Sequence, residues 1–199
     1  MEHSEQADQG TSVVGRRSFV TILGGAAAGF VLWPRKQAAA VLMSSTGGPG
    51  LVKIVEFSAS GARLGLKTVA KVVKTEAEWR QQLSAASFAI TRHAGTERPY
   101  TGSLLGEHDT GIFKCICCET ALYASATKFE SGTGWPSFWQ PIAKENVVEH
   151  RDSTLGMVRT EITCTRCDAH LGHVFNDGPR PTGLRYCMNS VALTFRKTG

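Results

Sequence analysis

Short apolar runs alternate with turn residues along most of the chain. Residues 51–57 and 66–73 are β-branched and apolar around a turn at Gly61 and Gly65, and this pattern predicts a small hairpin. From Gly111 onward, brief β-prone runs are broken by Gly and Pro at short intervals. That spacing favours antiparallel strands over βαβ units. The chain is therefore predicted to be mainly β.

Helical signals lie between the hairpin and the later strands. Thr75, followed three residues later by Glu78, fits a capping box, in which each side chain accepts a hydrogen bond from the backbone N–H of the other residue. A helix is predicted over residues 76–83, and a second short helix before Gly95.

A strand pattern also ends the chain. Residues 191–195 alternate between apolar and small or polar side chains. Extended backwards at a period of two, one continuous strand would place Arg185, Cys187 and Asn189 on the same face, provided that no bulge intervenes. A cation beside the thiol would favour the thiolate, which is the nucleophilic form of cysteine.

The first forty residues are typical of an export signal. Paired Arg16 and Arg17 precede an apolar, uncharged run over residues 19–33, and three alanines follow at residues 38–40. This order predicts a cleaved, twin-arginine-type signal peptide over residues 1–40 and a periplasmic or otherwise exported protein. The run is shorter than the ~20 residues that span a bilayer as a helix, so no stable membrane span is expected after processing. An uncleaved membrane-associated anchor is the alternative.

Composition narrows the class of protein. The 199 residues are 42% hydrophobic and 20% charged, which is typical of a soluble globular protein. The formal net charge of +5 is modest, and no run of basic residues interleaved with aromatic residues marks a nucleic-acid surface. Nucleic acid is therefore not an expected partner. Residues 41–73 combine a Gly- and Pro-rich linker with the possible hairpin.

Four of the six cysteines form two CxxC knuckles separated by 45 residues. Each knuckle directs two sulfurs at one point, and two knuckles complete a closed tetrahedron of thiolates. The predicted ligands of one structural zinc ion are Cys115, Cys118, Cys164 and Cys167. Disulfides are the alternative in an oxidising compartment. Folded export would allow the metal to bind in the cytoplasm first.

The other two cysteines differ in their surroundings. Cys117 lies inside the first knuckle, where an inert, buried side chain facing away from the metal is expected. Cys187 lies in the polar strand face described above and is the candidate nucleophile. Upstream, His170 and His173 are candidates for general acid or hydrogen-bonding roles, because four thiolates already saturate a metal; two satisfied buried histidines are the alternative. Trp135 lies in a Gly-rich loop, either as core or as the wall of a pocket for a methyl group.

Taken together, these segments resemble the type B methionine sulfoxide reductases. The shared strings, in order, are ERPYTG (97–102), CxxC, KFESGTGWPSFW (128–139), the second CxxC, DAHLGHVFNDGP (168–179) and PTGLRYCMNS (181–190). The resemblance implies an all-β core of two antiparallel sheets with short N-terminal helices, a catalytic domain over residues 74–199, and a structural zinc ion away from the active centre. The implied activity is thiol-dependent reduction of methionine R-sulfoxide in proteins.

The resemblance also implies roles for individual residues. Cys187 would attack the sulfoxide sulfur and become a sulfenic acid, while His173 would donate a proton to the oxygen. Trp135 would hold the substrate methyl group. The polar shell that orients His173 and the sulfoxide oxygen would consist of His170, Asp177, Arg185 and Asn189.

One departure from the family pattern concerns recycling. Many members have a recycling cysteine in SGCGWPSF, where this chain has Thr133. The usual disulfide with Cys187 is then unavailable, so an external thiol reductant is expected; Cys117 is the alternative partner, although disulfide geometry tolerates little displacement. The expected partners are thus oxidised proteins and a thioredoxin-like or small thiol, and the chain is expected to be a monomer.

Two other functional classes fit parts of the sequence. A non-enzymatic, zinc-ribbon-like binding module explains the four zinc ligands but gives no purpose to Arg185, Cys187 and Asn189. A disulfide oxidoreductase would need a redox-active CxxC, and neither knuckle lies at the end of a strand that opens a βαβ unit.

Overall fold

The computed structural model describes residues 49–152 and 159–198, and the fold is given for that part of the chain. The predicted signal peptide over 1–40 lies outside the described residues. Two helices are present, α1 (Glu76–Gln82) and α2 (Ala85–His93). The strands are β1 (Leu51–Phe57), β2 (Arg63–Ala70), β3 (Gly111–Cys115), β4 (Ala121–Ala124), β5 (Lys128–Phe129), β6 (Ser137–Phe138), β7 (Val147–Asp152), β8 (Arg159–Cys164), β9 (His170–Phe175), β10 (Arg185–Met188) and β11 (Leu193–Lys197). The predicted mainly β fold is confirmed.

The predicted hairpin and helices are also confirmed. β1 and β2 pair antiparallel, with β2 starting three residues earlier than the sequence indicates. At the start of α1, the Thr75 hydroxyl accepts a hydrogen bond from the Glu78 N–H, and the Glu78 carboxylate accepts one from the Thr75 N–H at 2.7 Å. Both halves of the capping box are therefore formed. None of the helices in the described residues is long and apolar enough to cross a membrane.

Two larger antiparallel sheets build the body of the fold. The first has six strands in the order β5-β6-β10-β9-β8-β7, and the second has three strands in the order β11-β3-β4. Aromatic side chains from both sheets form the core. Tyr123 of β4 stacks on Phe138 of β6 with ring centroids 4.4 Å apart, and Phe113 of β3 meets Phe138 edge-on at 4.9 Å.

Strand β10 presents its two faces to different environments. Tyr186 and Met188 are buried in the core, and the Tyr123 hydroxyl donates a hydrogen bond to the Met188 sulfur at 3.2 Å. Because successive side chains of a strand point to opposite faces, Cys187 points away from this core. The alternation of the sequence thus places one half-buried thiol on the outer face of the six-stranded sheet.

The single strand predicted through residues 185–195 is wrong. β10 ends at Met188, a 3₁₀ turn covers Ser190–Ala192, and β11 then belongs to the other sheet. The Asn189 backbone N–H and side-chain amide both donate to the Leu171 carbonyl of β9, at 2.9 and 3.0 Å, so contact with β9 continues through Asn189. The chain turns at the next residues, where the Glu97 carboxylate accepts from the Ser190 and Val191 N–H groups at 2.7 and 3.1 Å.

Candidate active site and metal centre

Strand pairing brings Cys187 next to two polar side chains. In the antiparallel register, Cys187 is directly opposite His173 of β9 and directly opposite Ser137 of β6. Directly opposed residues share one face of a sheet, with Cβ atoms about 5 Å apart. The candidate nucleophile and the candidate proton donor are therefore neighbours across a strand pair.

A cavity of about 140 Å³ opens over this face of the sheet. Its walls hold four of the predicted site residues, Cys187, His173, Asn189 and Trp135. The other lining residues are Thr96, Arg159, Gly172, Phe175 and Met188. The cavity is the size of a small side chain rather than of a large cofactor.

Burial dominates the electrostatics of the candidate nucleophile. Burial raises the pKa of the Cys187 thiol above its ordinary value, while the Thr133 hydroxyl, the Arg185 guanidinium and the Ser137 hydroxyl oppose that rise. The expectation that Arg185 favours the thiolate is right in sign. The net direction is nevertheless upward, because removing the sulfur from water disfavours its charged form more strongly.

Arg185 is fixed by an acidic partner outside the cavity wall. Its Nε and Nη2 donate to the two carboxylate oxygens of Asp177 at 2.9 and 2.8 Å, and its guanidinium lies 4.5 Å from the centre of the Phe175 ring. This hydrogen bonding lowers the pKa of Asp177 and raises that of Arg185. Asp177 thus holds the charged guanidinium of Arg185 in place beside Cys187.

The two histidines are anchored by different carboxylates. His173 Nε2 lies 3.1 Å from Asp152 Oδ2, the oxygen that also accepts from Arg159 Nη2 at 2.9 Å. Burial lowers the pKa of His173, and the Asp152 hydrogen bond opposes that fall. His170 Nδ1 lies 2.6 Å from Glu161 Oε1, and the two imidazole rings meet edge-on at 5.3 Å.

Several residues at this site were missed by the sequence analysis. Asp152, Arg159 and Glu161 hold the histidines, and Arg159 also lines the cavity. Their only signal in the sequence is that they are charged residues in β-prone segments, and that signal does not distinguish a site from a solvated surface. The strand pairing that brings Glu161 opposite His173 is needed to identify them.

Hydroxyl groups lie near Cys187 on the side of Thr133, which stands where the family pattern has a recycling cysteine. The Thr133 hydroxyl lies 3.9 Å from Cys187 Sγ and 2.8 Å from the Ser131 hydroxyl. The Ser131 hydroxyl in turn lies 2.7 Å from the Ser137 hydroxyl. A chain of three hydroxyls therefore connects two positions beside the sulfur.

The sulfurs of the two CxxC knuckles converge as predicted. Cys115, Cys118, Cys164 and Cys167 place their sulfurs within 4.8 Å of one another. The sulfur pairs Cys115–Cys167 and Cys118–Cys164 are 3.6 and 3.5 Å apart. Zinc–sulfur bonds of about 2.3 Å in a tetrahedron would set such sulfurs about 3.8 Å apart, so this donor set fits a metal ion of that size.

Cys117 does not belong to this group of four sulfurs. Its side chain is buried, with 4% of its surface exposed, as expected from the sequence. Its sulfur is not one of the four that lie within 4.8 Å of one another.

A half-buried cysteine opposed to a histidine, beside an aromatic wall, is an arrangement suited to thiol-based redox chemistry. Comparison with known proteins identifies the class. Residues 83–197 match the SelR domain. The match extends over more than half of the 199 residues, and the chain belongs to the SelR domain family.

Three of the similar proteins share one name. A peptide methionine sulfoxide reductase MsrB from Herminiimonas arsenicoxydans is 55% identical over 128 residues, which are 64% of this chain and 93% of that protein. The MsrB of Hahella chejuensis is 54% identical over 125 residues, or 63% of this chain and 90% of that protein. The MsrB of Pseudomonas putida strain W619 is 55% identical over 126 residues, or 63% of this chain and 95% of that protein.

Proposed function

We propose that Cys187 is the nucleophile with which this methionine sulfoxide reductase, an oxidoreductase, reduces the R epimer of the sulfoxide in oxidised proteins. One observation carries the proposal: Cys187 lies opposite His173 in a small cavity whose wall includes Trp135. Membership of the SelR family and the names of the relatives support methionine sulfoxide as the substrate.

The reaction follows from the chemistry of these groups. The Cys187 thiolate attacks the sulfoxide sulfur while the oxygen takes up a proton from His173. The attack forms an S–S bond and leaves a hydroxyl on the substrate sulfur. That hydroxyl then transfers to Cys187 Sγ while the S–S bond and the substrate S–O bond break, so the thioether leaves and Cys187 carries a sulfenic acid. Trp135 packs against the substrate methyl group, because a small apolar group needs an apolar wall.

The remaining polar residues act through position and charge. Arg185, held by Asp177, faces the thiol and supports its ionisation. His170 contacts the ring of His173 and orients it. The Asn189 amide shapes the cavity wall, because both of its polar atoms are engaged by backbone groups.

An external thiol regenerates the enzyme. One thiol displaces water from the Cys187 sulfenic acid and forms a mixed disulfide, and a second thiol then releases Cys187. Thr133 cannot form a disulfide, and Cys117 is buried, so neither supplies the first thiol. A thioredoxin-like protein or a small thiol fits this requirement, and a monomer suffices for the reaction.

The four knuckle cysteines hold one structural zinc ion in this proposal. Their sulfur spacing and the absence of any disulfide among the six cysteines support it. A closed set of four thiolates leaves no open position for substrate, so the metal stabilises the fold and takes no part in the reaction.

Residues 74–199 form the catalytic domain. Residues 1–40 direct the chain to the periplasm or another exported location by the twin-arginine route. The paired Arg16 and Arg17 before an apolar run support the export proposal. Replacing both arginines with lysine should leave the protein in the cytoplasmic fraction of its bacterial host. Unchanged fractionation of that double variant would contradict this route.

A stereospecific assay tests the proposed activity. R and S sulfoxides of a methionine-containing peptide are each incubated with dithiothreitol, and the R epimer alone should be consumed. The Cys187→Ser variant should lose even a single turnover, whereas Cys117→Ser, which alters the other non-ligand cysteine, should retain multiple turnovers. Residual single turnover by Cys187→Ser would contradict the assignment of the nucleophile.

A further inference from the structure

Glu97 makes four hydrogen bonds that converge on the candidate active site. Its carboxylate accepts from the Ser190 N–H at 2.7 Å and from the Val191 N–H at 3.1 Å. Its own N–H donates to the Asn189 side chain at 3.0 Å, and its carbonyl accepts from the Trp135 indole N–H at 3.1 Å. One residue thus contacts the substrate wall and the chain segment that follows Cys187.

The carboxylate contacts fix the end of the strand that carries Cys187. The 3₁₀ turn over Ser190–Ala192 has no capping hydrogen bond from the side chain of its own N-cap residue, Asn189. Glu97 supplies that cap from more than ninety positions earlier in the chain. A charged acceptor bound to two backbone donors holds such a turn more firmly than a neutral one.

The backbone contact of Glu97 fixes the opposite wall of the cavity. Trp135 is half-buried in a glycine-rich loop, and its indole N–H reaches across to the Glu97 carbonyl. The two loops touch closely: the Tyr100 N–H donates to the Gly134 carbonyl at 2.7 Å. A Cβ on Gly134 would lie 2.8 Å from Pro99 Cβ, and this glycine also has a φ of +92°.

We propose that Glu97 is a positioning residue that sets the separation between the Trp135 wall and Cys187, and that it thereby restricts the site to a small S-alkyl group. The inference rests on the proposed function and deepens it. A substrate with an S-ethyl group in place of S-methyl needs the wall to move outward, and Glu97 prevents that movement by linking both sides of the cavity.

Glu97→Gln tests this role with minimal change in shape. The amide keeps one acceptor but turns a donor towards the second backbone N–H, so the cap is half lost. The R-sulfoxides of methionine and ethionine, in otherwise identical peptides, are compared by kcat/KM. The wild-type chain should prefer the methyl compound, and Glu97→Gln should reduce that preference by about fivefold or more, because one methylene in a tight pocket discriminates by roughly 10- to 200-fold.

A matched control separates positioning from general destabilisation. Glu145→Gln makes the same chemical change at an exposed position in another 3₁₀ turn, and its methyl-to-ethyl ratio should equal that of the wild-type chain. A loss of stability alone would lower both rates together and leave their ratio unchanged. Gly102→Ala is a second test, because its new Cβ would lie 2.7 Å from the Glu97 carboxylate and 2.1 Å from the Ser190 hydroxyl. This variant should shift the ratio in the same direction.

The indole N–H signal of Trp135 provides a readout that needs no activity. It is identified by NMR as the signal that Trp135→Phe lacks, and it should move in Glu97→Gln and stay in place in Glu145→Gln. An unchanged ratio together with an unmoved signal would overturn the inference. Failure of the wild-type chain to reduce any R-sulfoxide would overturn the proposed function instead, and the indole signal would then still decide whether Glu97 positions Trp135.

Discussion

The pKa of the Cys187 thiol is set by two opposing effects. Burial raises its pKa, and the Arg185 guanidinium together with two hydroxyls lowers it. The thiol is therefore less ionised at neutral pH than a free cysteine, and the reaction depends on the groups that favour the thiolate at the moment of attack. Arg185 is the one of these groups that carries a full charge.

Arg185→Ala should raise the pKa of Cys187 further, because it removes a cation that stabilises the thiolate. At neutral pH the thiolate fraction falls, so alkylation of Cys187 by iodoacetamide should slow, and the two proteins should converge in rate at alkaline pH. The measurement is the pH dependence of alkylation of the peptide that contains Cys187. Arg196→Ala, an exposed arginine of β11, is the control and should match the wild-type profile. Faster neutral alkylation of Arg185→Ala would contradict the assignment.

Thr133→Cys should create the recycling disulfide that the chain lacks. The Thr133 hydroxyl lies 3.9 Å from Cys187 Sγ, so a thiol at this position is within reach of the sulfenic acid after small side-chain rotation. After one turnover without reductant, Thr133→Cys should contain a disulfide between residues 133 and 187, detected by non-reducing peptide mapping. Thr101→Cys, which adds a thiol at an exposed position, should not form it. Absence of the disulfide in Thr133→Cys would show that the two side chains do not meet during the reaction.

Several residues that line the cavity beside Cys187 could be predicted from the sequence, but the residues that hydrogen-bond to them could not. Cys187, His173 and Trp135 lie in recognisable strings and share one cavity as expected. Asp152 and Glu97 reach this region through contacts between residues 21 and 94 positions apart. Periodicity and turn chemistry describe only neighbours in sequence, so such contacts become visible only in the folded chain.

At the scale of elements, a sequence pattern predicts a helix or strand correctly where the hydrogen bonds that fix its ends join residues close together in the sequence. The capping box predicts the start of α1 because both of its hydrogen bonds join Thr75 and Glu78. The strand through residues 185–195 fails as a prediction because the distant Glu97 carboxylate binds the N–H groups of Ser190 and Val191, where the chain turns away from the sheet. The alternation of residues 191–195 is real, but it does not show that the preceding residues stay in the same sheet.

The β1–β2 hairpin lies before the SelR match at residues 83–197 and is joined to the fold by a few specific contacts. The Asn146 side chain donates to the Val55 carbonyl at 2.9 Å and accepts from the Val55 N–H at 2.7 Å, so that it acts like one residue of a paired strand. It also donates to the Ala121 carbonyl at 2.7 Å. Lys71, just after β2, forms an ion pair with Asp168, the residue that follows the second knuckle.

Asn146→Ala should detach the hairpin without disturbing the active site. Three buried hydrogen bonds are lost, and at about 1 kcal/mol each the free energy of unfolding should fall by about 3 kcal/mol. Urea denaturation measures this change, and the R-sulfoxide activity of the folded variant should stay within about twofold of wild type. Asn176→Ala, at an exposed position, is the stability control. A loss of activity that exceeds the loss of folded protein would show that the hairpin reaches the site.

At the scale of the whole molecule, the sulfur cluster connects the two large sheets. Cys115 ends β3 in the three-stranded sheet, and Cys164 ends β8 in the six-stranded sheet. The helices brace the same region: Gln82 donates to the Cys117 carbonyl at 2.9 Å, and Arg92 donates to the Cys167 carbonyl at 2.9 Å. A metal bound by all four thiolates therefore fixes the relative position of the sheets that carry the core.

Removal of zinc should lower the stability of the entire domain rather than of one loop. Structural zinc sites contribute apparent binding free energies of about 10 to 16 kcal/mol in small domains, so even partial loss should reduce the melting temperature by at least ~10 °C. Cys164→Ser should release the metal and show this reduction in calorimetry, and elemental analysis should find less than one zinc ion per chain. Cys117→Ser is the matched control, because it changes a neighbouring buried thiol outside the group of four and should keep both the metal and the melting temperature. Equal zinc content and stability in the two variants would mean that the sheets are held together by their aromatic core, with the cluster contributing little.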